Sequence, residues 1–149
     1  MNIHGQIKGA PMIYVLDANV IINYLKKDAK VTANFDNAVL AGHRLLIPRA
    51  VDYEIGRGLM LSNASRKSLI YETMISPFPT GQCEVVDMNE GIWEYAKQIY
   101  ANLYQKSFTV GEIDILIAAF CLQNSYPLVT ANTNDFINIA GLQLVNWWG

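Results

Sequence analysis

Short apolar runs alternate with amphipathic stretches along the whole chain, and most runs close on a polar or turn-forming residue. Residues 12–16 are apolar, β-branched and aromatic, which predicts a strand ending at Asp17. Residues 19–27 and 31–41 carry helical periodicity, the second stretch stopped by Gly42. Residues 44–47 predict a short buried strand ended by Pro48. From 49 to 61 the apolar Val51, Ile55 and Leu59 recur at helical spacing, and Asn63 is placed to cap another helix reaching about Ile75. The prolines and glycine of 76–82 read as a loop. Residues 84–87 predict a strand, and Asn89 a cap for a helix over 90–105 with Ile92, Ala96, Ile99 and Leu103 on one face. Gly111 breaks the chain before a helix over 114–124. Strands at 128–130 and 142–146 enclose a turn and short helix at 132–139.

Strands this short, separated by helices, predict an α/β architecture: a mainly parallel central sheet of about five strands flanked by helices. In such sheets, sites form beyond the carboxyl ends of the strands, where Asp17 and Thr130 are expected. The chain reads as one domain over 12–149 preceded by an extension, 1–11, that lacks the basic start and apolar block of a signal peptide.

Composition narrows the function. At 52% apolar and 16% charged, the chain has a substantial core and is not disordered. The longest apolar stretch, 115–122, is too short to span a membrane. Cys83 and Cys121 make no disulfide framework, and Cys121 sits in an apolar helical run, so a reducing cytoplasm is the default expectation. Net charge is −2, which argues against simple backbone binding of nucleic acid. If four acids share a cleft, however, the rest of the molecule carries −2 + 4 = +2.

Two acids stand out by position. Asp17 ends one apolar run and Asp114 opens another, and a lone carboxylate buried without a partner costs several kcal/mol, on the order of the penalty for any unpaired interior charge. Asp17 could cap the following helix, but Asn19 could do so instead and leave Asp17 facing a cleft. Asp114 could rest on the helix dipole, yet the apolar run after it predicts a central, buried helix. Glu112, two residues earlier, faces elsewhere and reads as an outer support. Glu54 lies roughly 60° from Val51 at ~100° per residue, beside the apolar stripe, although a helical Glu is usually solvated. Asp135 lies in a polar turn with Thr130 and Asn132, where a turn-forming role is equally open. An oxygen-only carboxylate set suits Mg²⁺, with Mn²⁺ as a substitute, and the chemistry that needs it is two-metal phosphodiester hydrolysis. His4 and His43 pair with no nucleophile, and no Cys/His cluster offers a zinc site.

On these residues the chain resembles the PIN-domain ribonucleases, specifically the VapC-type toxins of bacterial toxin–antitoxin pairs. The carriers are LDANVII (16–22), VDYEIGRGL (51–59), GEIDILIAAF (111–120), LVTANTNDF (128–136) and GLQLVNW (141–147). The resemblance implies a three-layer fold and a Mg²⁺-dependent endoribonuclease with an acidic quartet of Asp17, Glu54, Asp114 and Asp135. It matches Asp17 and Asp114 to the metal positions, and Asn19, Thr130 and Asn132 to polar support. It also implies an RNA substrate, a homodimer, and a cognate antitoxin covering the cleft, for which Trp93, Tyr100 and Tyr104 offer contact surface. The chain departs from the pattern at Ala18 and Ala131, the second removing a phosphate contact. Two other readings stand beside this one. A silent RNA- or protein-binding module would share the fold. A phospho-receiver domain lacks its paired acid at Asp17 and a Lys after Thr130.

Overall fold

The computed structural model describes residues 10–77 and 81–149. The expected extension at 1–11, with His4, therefore lies almost wholly outside the described residues, as does the middle of the 76–82 loop. Five strands form one sheet: β1 (Ile13–Leu16), β2 (Arg44–Pro48), β3 (Glu84–Val86), β4 (Leu128–Val129) and β5 (Leu144–Val145). Their order is β3-β2-β1-β4-β5, and every pairing is parallel. The connections carry α1 (Ala18–Leu25), α2 (Ala29–Leu40), α3 (Arg49–Leu61), α4 (Ser65–Met74), α5 (Ile92–Gln105), α6 (Glu112–Asn124) and the short α7 (Thr133–Phe136).

This order follows from two-sided burial. Val15 and Leu16 of β1, Leu45 and Ile47 of β2, and Leu128 and Val129 of β4 are buried, as expected for central parallel strands covered on both faces. The chain winds from β1 outward to β3, then returns across the sheet through α5 and α6 to place β4 on the other side of β1. The β1–β4 boundary is thus the topological switch point, and a crevice opens outside the carboxyl ends of those two strands. The all-round apolar pattern of α6 corresponds to burial of Ile115, Ile117, Ala118, Ala119, Phe120 and Cys121 between α3 and α5. Both cysteines are buried free thiols, and among the described residues no helix is long and apolar enough to cross a membrane.

Several element ends differ from expectation. Asn63 does not cap α4; it has φ +52° and closes α3, where Asn63 N donates to Met60 O at 3.3 Å and Ala64 N to Leu59 O at 3.3 Å. Asn tolerates the left-handed conformation that ends a helix, and that tendency wins over its capping use here. Asn89 accepts from Gly91 N at 2.9 Å and from Gln123 at 2.8 Å, so α5 begins at Ile92 rather than at residue 90. The helix expected to open at Asp114 begins at Glu112, which puts Asp114 third in α6.

Candidate metal centre at the carboxyl edge of the sheet

Asp17 leaves β1 and becomes the N-cap of α1, the role that sequence reasoning gave to Asn19. A carboxylate has two oxygens and about four lone-pair sites, so capping does not exhaust it. Oδ1 accepts from Ala18 N at 2.8 Å, while Oδ2 accepts from Thr130 Oγ1 at 2.7 Å and Asn19 Nδ2 at 3.2 Å. Asp17 and Thr130 are the buried polar residues of the described chain, at 3% and 0% exposure. Asn19 also donates to Thr130 Oγ1 at 3.3 Å and accepts from Ala131 N at 3.1 Å. Thr130 Oγ1 in turn accepts from Asn132 N at 3.0 Å. This net ties the start of α1 to the turn after β4 across the switch point, and it fixes the Asp17 carboxylate in one orientation.

Three further acids come within electrostatic reach of Asp17. Glu54 arrives from the second turn of α3, and Asp114 from the first turn of α6. Asp135, itself exposed, arrives from α7. Asp114 is pushed up to about 6, chiefly by burial and then by the charges of Asp17, Glu54 and Asp135. Burial also raises Glu54, with the Asp17 charge next, while Arg57 opposes the shift. Asp17 is raised by burial, partly offset by its hydrogen bonds to Thr130, Ala18 and Asn19. Asp17, Glu54 and Asp114 therefore hold their charge against both a low-dielectric surrounding and their neighbours.

The remaining expected supports separate. Asn132 is exposed at the N-cap of α7, and its side chain makes no cap hydrogen bond. Glu112 is exposed and lines a groove with Trp93, Lys97 and Tyr100 of α5. Two contacts had no signal in the sequence. Tyr71 of α4 donates to Asp52 of α3 at 2.7 Å, and Arg49 at the start of α3 reaches Asp87 at 3.0 Å. Both fix the helix that carries Glu54, and each joins residues far apart in the chain.

The donor set fits a hard divalent cation. All four groups offer oxygen, and Glu54 Oε1 is buried without a hydrogen-bond partner. Thr32 Oγ1 and Gln123 Oε1 share that condition elsewhere, but an unpartnered carboxylate is the costlier case. Among the described residues no three His, Cys, Asp or Glu side chains close around a single point. Mg²⁺ does not require that, because it keeps several waters and binds through one or two carboxylates.

Comparison with known proteins agrees with this fold. A model of the PIN domain matches residues 14–142. Ribonuclease VapC2 of Rickettsia felis is 26% identical over 136 residues, covering 91% of this chain and 98% of its own length. Ribonuclease VapC1 of Haemophilus influenzae strain R2866 is 27% identical over 136 residues, again 91% and 98%. The crystal structure of DNA-bound VapBC from Salmonella typhimurium superposes with a TM-score of 0.79 at 26% identity, covering 91% of this chain and 98% of that one. With the matched region running from β1 past α7, and so taking in all four acids, the chain belongs to the PIN-domain family.

Proposed function

We propose that the chain is a divalent-metal-dependent endoribonuclease of the VapC kind, the toxin of a toxin–antitoxin pair. One observation supports the reading: Asp17, Glu54 and Asp135, from three other elements, act electrostatically on Asp114 beside the switch point, and one buried Glu54 oxygen is left unpartnered. The names of the similar proteins support ribonuclease activity, and the VapBC complexes among similar structures support an antitoxin partner. A second copy of the chain and that antitoxin are the protein partners, for which α5 exposes Trp93, Tyr100 and Tyr104.

Asp17 and Asp114 are the direct metal ligands, with Glu54 and Asp135 completing the acidic set. Bound Mg²⁺, or Mn²⁺ in its place, would supply the Lewis acidity and positive charge that phosphodiester hydrolysis requires. Thr130 and Asn19 hold the Asp17 carboxylate by donating to its Oδ2 at 2.7 and 3.2 Å. No Arg or Lys ion pair occupies any of the four acids among the described residues, so their oxygens remain available.

The test uses purified protein, free of any partner, with structured RNAs. Cleavage is expected in Mg²⁺ and lost in EDTA, in Asp17→Asn and in Asp114→Asn. Cleavage persisting in EDTA or in both variants would sink the metal-carboxylate mechanism. Absence of any cleavage, together with no growth arrest on expression, would favour a silent binding module.

A further inference from the structure

Two acids of the candidate centre are held in different ways. Asp17 is held directly, because Ala18 N, Thr130 Oγ1 and Asn19 Nδ2 all donate to its carboxylate. Glu54 has no such support. Its Oε1 has no partner, and among the described residues no ion pair reaches its carboxylate. Where Glu54 stands is therefore set by α3 as a body. That helix has no side-chain hydrogen bond at its N-cap, Pro48. Val51 and Ile55 seat it in the core at 0% and 1% exposure. Apolar burial is non-directional, so it fixes the roll of a helix about its own axis less sharply than a hydrogen bond does.

The directional hold comes from elsewhere on α3. Asp52 stands two residues before Glu54, about 200° around the helix at ~100° per residue. It accepts from the Tyr71 hydroxyl of α4 at 2.7 Å. Tyr71 is 4% exposed, and burial together with the Asp52 carboxylate pushes its phenol well above the ordinary range, which keeps it a donor. Asp52 also lies 3.5 Å from Arg49, which reaches Asp87 at 3.0 Å. The Arg49 and Asp87 side chains are 57% and 83% exposed, so water screens that branch. The charge-assisted bond from buried Tyr71 is the stronger tie. A buried Tyr–Asp bond between neighbouring helices is by itself ordinary packing. Its place across α3 from an unsupported carboxylate gives it a further consequence. A roll of about 10° moves a group ~6 Å from the helix axis by about 1 Å, and Mg²⁺ demands near-ideal octahedral geometry. We propose that Tyr71 and Asp52 are positioning residues for the metal centre, fixing the roll of α3 and through it the place of Glu54. This inference rests on the metal-dependent reading of the site.

The full chain, free of RNA and of any partner, is titrated with Mn²⁺ while the free ion is followed by electron paramagnetic resonance. Tyr71→Phe keeps the ring and removes the hydroxyl. It is expected to weaken Mn²⁺ binding roughly fivefold, less than the roughly tenfold loss typical of a partner that touches a ligand directly. Asp52→Asn keeps an oxygen acceptor for the phenol, and it is expected to bind Mn²⁺ at least about twofold more tightly than Asp52→Ala. Both remove the charge, so the difference between them reports the bond. In a Glu54→Gln chain, adding Tyr71→Phe is expected to change binding by less than about twofold, because the pair acts through Glu54. The Mg²⁺ concentration for half-maximal RNA cleavage should rise in Tyr71→Phe by the same factor as the Mn²⁺ constant, with the plateau rate retained. A merely structural role would lower Tm and leave metal binding alone. A folded Tyr71→Phe chain binding Mn²⁺ within about twofold of wild type overturns the proposal, as does an undiminished loss in the Glu54→Gln chain. If wild type binds Mn²⁺ and Tyr71→Phe is indifferent, the positioning falls and the metal reading stands. If wild type binds no Mn²⁺, both fall.

Discussion

Replacing Asp114 with Asn keeps the shape of the side chain and removes one of four clustered charges. The carboxyl is pushed up from 3.8 to about 6 by burial and by Asp17, Glu54 and Asp135. Between those two values the folded chain holds a proton that the unfolded chain has released. The associated stability is fully present below pH 3.8 and is lost as pH rises through about 6. The displacement, 6 − 3.8, is about 2 units, or ~3 kcal/mol at ~1.36 kcal/mol per unit. Asp114 is only partly buried, and screening by water reduces this to ~1–2 kcal/mol. In EDTA at pH 7.5, Asp114→Asn should therefore be more stable than wild type by ~1–2 kcal/mol, with the gap closing toward pH 4. Urea denaturation followed by circular dichroism between pH 4 and 8 measures it. In Mg²⁺ the gap should narrow or reverse, because a cation bound to the intact carboxylate set stabilises wild type by mass action. A variant less stable than wild type in EDTA at pH 7.5, or a gap indifferent to pH, refutes the reasoning.

Thr130→Val keeps the shape but removes the 2.7 Å donor to Asp17 and the acceptor for Asn132 N, both at a buried position. Chemical denaturation should register a loss of about 2 kcal/mol together with reduced cleavage, and Thr130→Ser should retain most of both. Gly56 lies inside α3 with open space where a Cβ would stand, so Gly56→Ala should stabilise by about 0.5–1 kcal/mol, read as a raised Tm with cleavage unchanged. Arg44 forks onto Glu84 at 2.9 and 3.0 Å, but both side chains are about half exposed. Arg44→Ala should therefore cost less than about 1 kcal/mol in a thermal melt, and high salt should erase the difference.

The layout of the fold was legible because burial on both faces writes continuous apolar runs into central strands. Residues around β1 and β4 carry that signature, and α6 carries the all-round apolar pattern of a helix enclosed by neighbours. Element ends were less legible, since one polar residue can serve several local purposes. Asn63 closes α3 where it could have opened α4, and Asp17 caps α1 where Asn19 could have. Within the site, Asp17 and Asp114 announced themselves as single acids against apolar runs. Glu54 left only an angular hint, and Asp135 left a polar turn that many loops share. The bond from Thr130 to Asp17 spans 113 residues, and no local pattern encodes it. Glu112 and Asp114 illustrate the same limit at short range. Two residues apart, they sit about 200° apart around α6 at ~100° per residue, and only the packing of α5 decides which side is the crevice.

The way these acids are held bears on why, among the described residues, none of them forms an ion pair with Lys or Arg. An ion pair with Lys or Arg would steady a carboxylate but would also occupy the lone pairs that a metal needs. Asp17 instead stands at the N-cap of α1 and Asp114 in the first turn of α6, where the helix dipole and free backbone N–H groups favour negative charge. Such support is worth about 0.3–1 kcal/mol per site and leaves oxygens open. It is smaller than the opposing effects, because Asp17, Glu54 and Asp114 all remain raised above their ordinary range. The elements that present the acids are anchored in the core: Val15 and Leu16 of β1, Leu128 of β4 and Ile117 of α6 are completely buried. A site arranged in this way gains most from a divalent cation when empty of other partners. By the same logic, any substitution that relieves the charge without a metal should stabilise the fold and weaken the chemistry together.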